Sequence, residues 1–395
     1  MEFDCIVIGK GLIGAAAAKY ISLQGCSVVV IGPDEPPDMK EGIVFSSHYD
    51  QARIQRIIGT DAVWTSLNQQ SANAYPLLQR ESNINFHTPV GCLYVNPHGS
   101  DVYLEQTSKM SEQFKCSYNF FENGSALNKI FPDFNFPETS KGIFEDAPCG
   151  FINPGLLIKA QLEILLNNKG VVINDIADEI TYENEAIKID TKAGKTFRAK
   201  KVLIAAGAFT NSLNLLHKKL FFRLKSESTI WVRVSKEEAI RLQKLPSLLY
   251  EINTPEVQNI YMVQPIQYPD GEYYLKMGAN MPEDIYFERL EDIQKWFRTS
   301  GSNLNLSTLE RAAKQIMPAM NMKEFMPKKC IVTYTQHGKP YIGKVNDKEL
   351  YVAAGGNGYG AMSSDALGRI AAAVVTKNEF PIEYNKEDFS PVFID

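Results

Sequence analysis

The feature that most constrains this chain lies at its N-terminus. The apolar run Cys5-Ile6-Val7-Ile8 leads directly into Gly9-Lys10-Gly11-Leu12-Ile13-Gly14, an alanine-rich segment follows, and a second apolar run spans Ser27 to Ile31. Continuous apolar strands flanking a helix predict a buried parallel pair. At this spacing the first glycine permits a tight turn, the second lets backbone approach a pyrophosphate, and the third lets helix pack on strand. A phosphate then meets the helix N-terminus, where free N–H groups and the dipole favour anions. The motif is weak alone, but in this strand-turn-helix setting it predicts a dinucleotide-binding βαβ unit. One part departs from the pattern. The carboxylate expected at the end of the second strand, for the ribose hydroxyls, falls at Gly32, which leaves Asp34 as the candidate.

Further along, Pro33, Pro36 and Pro37 break the pattern. Apolar spacing at Ile54, Ile57, Ile58, Val63, Trp64 and Leu67 predicts a helix over about residues 50–80. The stretch 120–150 reads as a loop-rich connection, Pro154 to Asn168 as an amphipathic helix, and Val171 to Ile173 as a strand. Residues 225–285 read as an antiparallel sheet, and strand and helix patterns return between Cys330 and Val375. Nucleotide-type units at both ends of 395 residues predict an α/β chain, α+β overall. Its Rossmann-type domain is discontinuous, over 1–90, 145–225 and 328–395, with a mainly antiparallel substrate domain over 91–144 and 226–327.

Composition removes several function classes. With 44% hydrophobic and 22% charged residues and a net charge of −5, the chain has no basic surplus for nucleic acid. The cysteines Cys5, Cys26, Cys92, Cys116, Cys149 and Cys330 form no CxxC pair, so neither a disulfide framework nor a metal site is expected. Met1-Glu2-Phe3-Asp4 lacks a basic leader and no apolar stretch reaches membrane-spanning length, which predicts a cytoplasmic protein without a membrane partner.

Four separated segments resemble one family, the amine-oxidising flavoproteins of the D-amino acid oxidase superfamily, and within it the monomeric sarcosine oxidase branch. They are the glycine motif, then His48 with Ala52-Arg53-Ile54-Gln55-Arg56, then Leu275-Lys276-Met277-Gly278. The fourth pairs Cys330-Ile331-Val332-Thr333-Tyr334-Thr335 with Ala353-Ala354-Gly355-Gly356-Asn357-Gly358-Tyr359-Gly360. The resemblance implies FAD as cofactor, linked through Cys330, with Gly9, Gly11, Gly14, His48, Gly207 and the run Gly355 to Gly360 around it. It implies that Arg53 lies near the flavin and that Lys276, through water, stabilises charge when electrons pass to dioxygen. A monomer is expected.

Arg56, three residues from Arg53 on the expected helix, is the candidate clamp for a substrate carboxylate. Three pocket positions depart from the sarcosine-oxidising pattern: Met262 stands for a tyrosine, Asn280 for a histidine and Met362 for a second carboxylate-binding lysine. The expected reaction is therefore FAD-dependent oxidation of a C–N bond in a small secondary, cyclic or N-substituted amino acid bulkier and less polar than sarcosine, giving an imine and hydrogen peroxide. A dehydrogenase using another electron acceptor, and a flavin-binding subunit without turnover, stand as alternatives.

Overall fold

The computed structural model describes residues 2–47, 49–183, 186–299, 305–346 and 348–394. Strand β1 (Glu2–Ile8) passes into helix α1 (Leu12–Leu23) and returns in strand β2 (Val28–Ile31). β1 sits inside the sheet, parallel to β2 on one side and to the strand Thr196–Ile204 on the other. Val171–Ile173 continues the sheet beyond β2, and Leu350–Ala354 lies parallel to Thr196–Ile204. Every residue of β2 is buried, because helices or strands cover both faces, and this is why the strand is apolar throughout.

α1 is held by the helix Ser364–Lys377, which crosses it at a contact of small residues. A Cβ on Gly368 would lie 2.4 Å from the Cβ of Ala16, so the alanine face and the glycine fit each other with no room to spare. Buried Lys19 on α1 pairs with Asp365 at 2.9 Å, and Tyr20 and Gln161 also donate to that carboxylate. α1, and with it the glycine turn, is thereby tied to two other helices, Ser364–Lys377 and Pro154–Asn167.

The second sheet is built on the long strand Phe222–Val234, which lies antiparallel to Tyr273–Asn280 on one side and to Glu324–Thr335 on the other. It continues through Asn259–Gln267, Ser247–Tyr250, Cys92–Asn96, Lys141–Glu145 and Asn119–Phe121. Side chains alternate across it. Ile230, Val232, Met262, Leu275 and Met277 enter an apolar core shared with the helix Leu306–Ile316, which leaves Glu227, Tyr261 and Lys276 on the other face.

Three expectations from the sequence are corrected. Residues 53–55 form a strand, β3 (Arg53–Gln55), paired with Gly150–Ile152, and helix α2 starts only at Ala62 and runs to Ser82. Asp61 sets that start by accepting from the Trp64 N–H at 3.0 Å. Ile54, Ile57 and Ile58 are buried, but from extended and turning backbone, so their helix-like spacing is coincidental. The stretch 120–150 is no simple connection either. It contributes the helix Gly124–Ile130 and two short strands that pair into the second sheet, where brevity and flanking Pro and Asn hid them. The strand Glu324–Thr335 crosses the expected border at 327 and pairs along its whole length within the second sheet.

Candidate functional site

A cavity of about 440 Å³ lies between the two sheets. It starts at the glycine turn, passes Gly207, and ends between the Gly355–Met362 segment and the polar face of the second sheet.

At the glycine end, Gly11 caps α1 without any side-chain bond, and the first turn carries no acid, so its N–H groups face the cavity unopposed. A Cβ on Gly11 would meet no atom within 4 Å, so the missing side chain leaves open space ahead of the helix. Gly9 and Gly14 are glycines for packing. A Cβ would come within 2.3 Å of the Ala205 carbonyl at Gly9 and within 1.9 Å of the Gly9 carbonyl at Gly14, which does not line the cavity. The absent carboxylate at position 32 has a steric reason, since a Cβ there would approach the Lys10 nitrogen to 2.6 Å. Asp34 is exposed, ion-paired with Lys10 and bonded to the Asn174 amide at 2.6 Å; it is not brought into the cavity. His48 lies outside the described residues.

The run from Gly355 to Gly360 curls back on itself. Gly355 and Gly358 take left-handed φ values of +93° and +83°, and a Cβ on Gly356 would sit 3.0 Å from the Gly360 Cα. Asn357 spends its side chain on the loop, accepting from the Thr335 N–H at 3.0 Å and donating to the Gly355 carbonyl at 2.6 Å. Tyr359 packs on Trp64 with ring centres 5.0 Å apart.

Behind the cavity wall, Asp50 joins two of the expected cations, Arg53 and Lys276, which do line it. Arg53 and Lys276 both contact its Oδ2, and Lys276, 2% exposed, also donates to the Ala52 carbonyl at 2.9 Å. Two cations thus share this carboxylate and hold each other's geometry. The Cys330 sulfur stands 3.9 Å from Arg53, and Glu227 is its partner across the neighbouring strand. Burial pushes the Cys330 thiol up to about 11 against the opposing pull of Arg53. Arginine proximity alone therefore does not make this cysteine a thiolate at neutral pH.

Arg56 lines the cavity as expected, although by a different route. Because 53–55 is extended, Arg53 and Arg56 do not share a helical face; they reach the cavity from either side of a strand and its exit. Arg56 is 4% exposed, its Nε and Nη1 are buried without a hydrogen-bond partner, and its guanidinium lies 4.7 Å from the Tyr103 ring centre. A permanently charged group left unbonded in a cavity is a site for an anion.

Of the three substituted pocket positions, Met362 lines the cavity, whereas Met262 is 1% exposed in the core of the second sheet. Its neighbour Tyr261 faces the cavity, with room made by Gly278, where a Cβ would come within 2.1 Å of the tyrosine ring. Asn280 lines the cavity, but its amide is already engaged: the carbonyl accepts from Lys225 at 2.6 Å and the nitrogen donates to Asn259 at 2.6 Å. Sequence reading also missed Asp50, Tyr94, Glu227, Glu251 and Asn259. Glu227 and Tyr261 were within reach, because they alternate with the core residues of their strands. Asp50, in irregular chain, carried no such signal.

Among the described residues no helix is long and apolar enough to cross a membrane, and no cluster of His, Cys, Asp or Glu is placed to hold a metal ion.

Residues 4–374 match the family model described as FAD dependent oxidoreductase. The monomeric sarcosine oxidase of Arthrobacter sp. is 26% identical over 218 residues, 54% of this chain and 53% of that protein. The N-methyl-L-tryptophan oxidase of Citrobacter koseri is 25% identical over 215 residues, 54% of this chain and 55% of that protein. The alignments thus span about half the length of these curated relatives. Two solved structures share the fold across nearly the whole chain. NikD, described as an unusual amino acid oxidase essential for nikkomycin biosynthesis, superposes with a TM-score of 0.79 at 16% identity, covering 100% of this chain and 98% of that one. The L-proline dehydrogenase of P. horikoshii gives 0.75 at 17% identity, covering 97% and 96%.

Proposed function

The chain belongs to the family of FAD dependent oxidoreductases, and from that premise we propose that it oxidises the C–N bond of a small secondary, cyclic or N-substituted amino acid, giving an imine and hydrogen peroxide. The observation that carries this reading is the buried, unbonded guanidinium of Arg56 inside the cavity that also holds Lys276 and Cys330.

The residues present fit FAD. The uncapped α1 N-terminus and the open space before Gly11 suit a pyrophosphate, and the Gly355–Gly360 turn with Cys330 suits the ring end. When bound, FAD supplies the two-electron acceptor. Gly9, Gly11, Gly207 and the glycine turn would hold it by backbone, and Cys330 would be the residue that carries its covalent link. Arg56 clamps the substrate carboxylate and so fixes the position of the reacting nitrogen. Lys276, held by Asp50 and Ala52, would offer a fixed positive charge to negative charge that develops on the bound cofactor. Tyr94, Tyr261 and Met362 form the adaptable wall around the rest of the substrate.

The test is a visible spectrum of the FAD-loaded protein as secondary, cyclic and N-methylated amino acids are added without air. Bleaching by members of this panel, reversed by air with release of hydrogen peroxide, is the expected result. No bleaching by any amine contradicts oxidation, and bleaching that air does not reverse contradicts dioxygen as acceptor.

A further inference from the structure

Along one wall of the cavity, hydrogen bonds are handed in a single direction. Lys225 donates to the Asn280 carbonyl and the Asn280 amide donates to the Asn259 carbonyl, each at 2.6 Å. Asn280, Asn259 and Glu251 all line the cavity. Lys225 is spent locally, pairing with Glu227 at 2.8 Å and with Asp284 at 2.6 Å. Glu251, half-buried in the same cavity, forms no ion pair among the described residues.

The same cavity contains Arg56, whose buried Nε and Nη1 have no partner. One carboxyl and one cation therefore line the same space without being joined in an ion pair. Partly buried charges left unpaired cost stability, and such an arrangement is relieved by a ligand that completes both. Burial and the nearby Asp101 hold the Glu251 carboxyl above the usual carboxylate range, an effect that a cation beside it would reverse. A purely apolar substituent would instead shut Glu251 away from water with nothing to bind.

We infer that the site takes an amino acid carrying, besides its carboxylate and reacting nitrogen, a second cationic or hydrogen-bond-donating group that seats on Glu251. This rests on the amino-acid reading proposed above and makes the substrate more polar than the sequence alone implied. Glu251, on the cavity wall beside Asn259 and Asn280, sets specificity.

The experiment titrates FAD-loaded protein with probes that lack the α-nitrogen, read by the flavin difference spectrum. γ-Aminobutyrate and ε-aminocaproate are compared with butyrate and hexanoate. Wild type is expected to bind at least one ω-amino acid about tenfold or more tighter than its parent acid. Glu251→Gln removes that preference without weakening the parent acids, while Arg56→Met weakens both members of each pair. Flavin content and far-UV dichroism confirm that both variants are folded. Equal affinity within each pair, no binding of any probe to wild type, or a preference that survives Glu251→Gln overturns the inference. If the preference is absent while Arg56→Met still weakens the parent acids, the carboxylate reading stands and only the Glu251 assignment falls. Affinities indifferent to Arg56→Met overturn the carboxylate reading and the inference with it.

Discussion

Single side chains in this cavity are defined by what already holds them. Lys276 is buried against Asp50 and Ala52, so its charge is fixed in place, and on the proposed reading it acts mainly where electrons leave for dioxygen. Lys276→Met is expected to slow recovery of the oxidised spectrum in air by about 100-fold or more, as for the loss of one preorganised electrostatic partner, and to slow anaerobic bleaching far less. Stopped-flow measurement of the two halves checks this, and equal slowing of both removes the assignment. Cys330 makes a second case. Its thiol is pushed up to about 11, so alkylation of the FAD-free protein should be slow at neutral pH and accelerate as pH rises toward that value. Once FAD is linked, mass spectrometry of the denatured chain should show the flavin retained, and Cys330→Ser should release all of it; full release from wild type contradicts the thioether. Much at this scale was legible in the sequence. Arg53, Arg56, Lys276 and Cys330 do converge on one cavity. Met262 turns into the core because strand alternation puts its neighbour Tyr261 on the cavity side, a signal that position along a family pattern does not carry.

At the scale of elements, the turn from β1 to α1 is the most completely specified part of the chain, and its three glycines do different work. Gly9 and Gly14 are required by contacts within the turn, whereas Gly11 borders open space. Gly11→Val is therefore expected to leave the FAD-free protein folded, with a stability change of about 1 kcal/mol or less, while FAD retention falls by about tenfold or more as the side chain fills the approach to the helix N-terminus. Thermal unfolding with and without added FAD separates the two effects, because only a protein that binds the cofactor is stabilised by it. Unchanged FAD binding would show that the phosphates lie elsewhere. The segment after Pro37 was less legible. Apolar residues at 54, 57 and 58 match a helix in spacing, yet the chain there is a short strand followed by a turn, fixed by pairing with residues far away in sequence. Three-residue strands carry too little periodicity to be seen locally, and the same holds for those between 119 and 152.

For the whole molecule, alternation of strands and helices at both ends, with antiparallel strands between, was enough to predict two sheets. The pairing of Glu324–Thr335 with Phe222–Val234 was not predictable, because that strand joins the second sheet just before the chain returns to the first. We propose the two-lobed division with its last border moved past Thr335. One consequence is that Cys330, Glu227, Tyr261 and Lys276 stand on a single sheet face, while the glycine turns come from the other lobe. The cavity exists because these surfaces meet, and Arg56 enters it through the small sheet of β3 and Gly150–Ile152. The central claim, that this cavity oxidises an amino acid held by its carboxylate, is tested most directly by kcat/KM for matched pairs of N-methylated amino acids and their decarboxylated amines, in wild type and in Arg56→Met. A charge-assisted clamp contributes roughly 1.5 to 3 kcal/mol, so the acids should lead by about tenfold to 100-fold in wild type and lose that lead in the variant. No advantage for the acids in wild type, or an advantage untouched by Arg56→Met, would contradict the account.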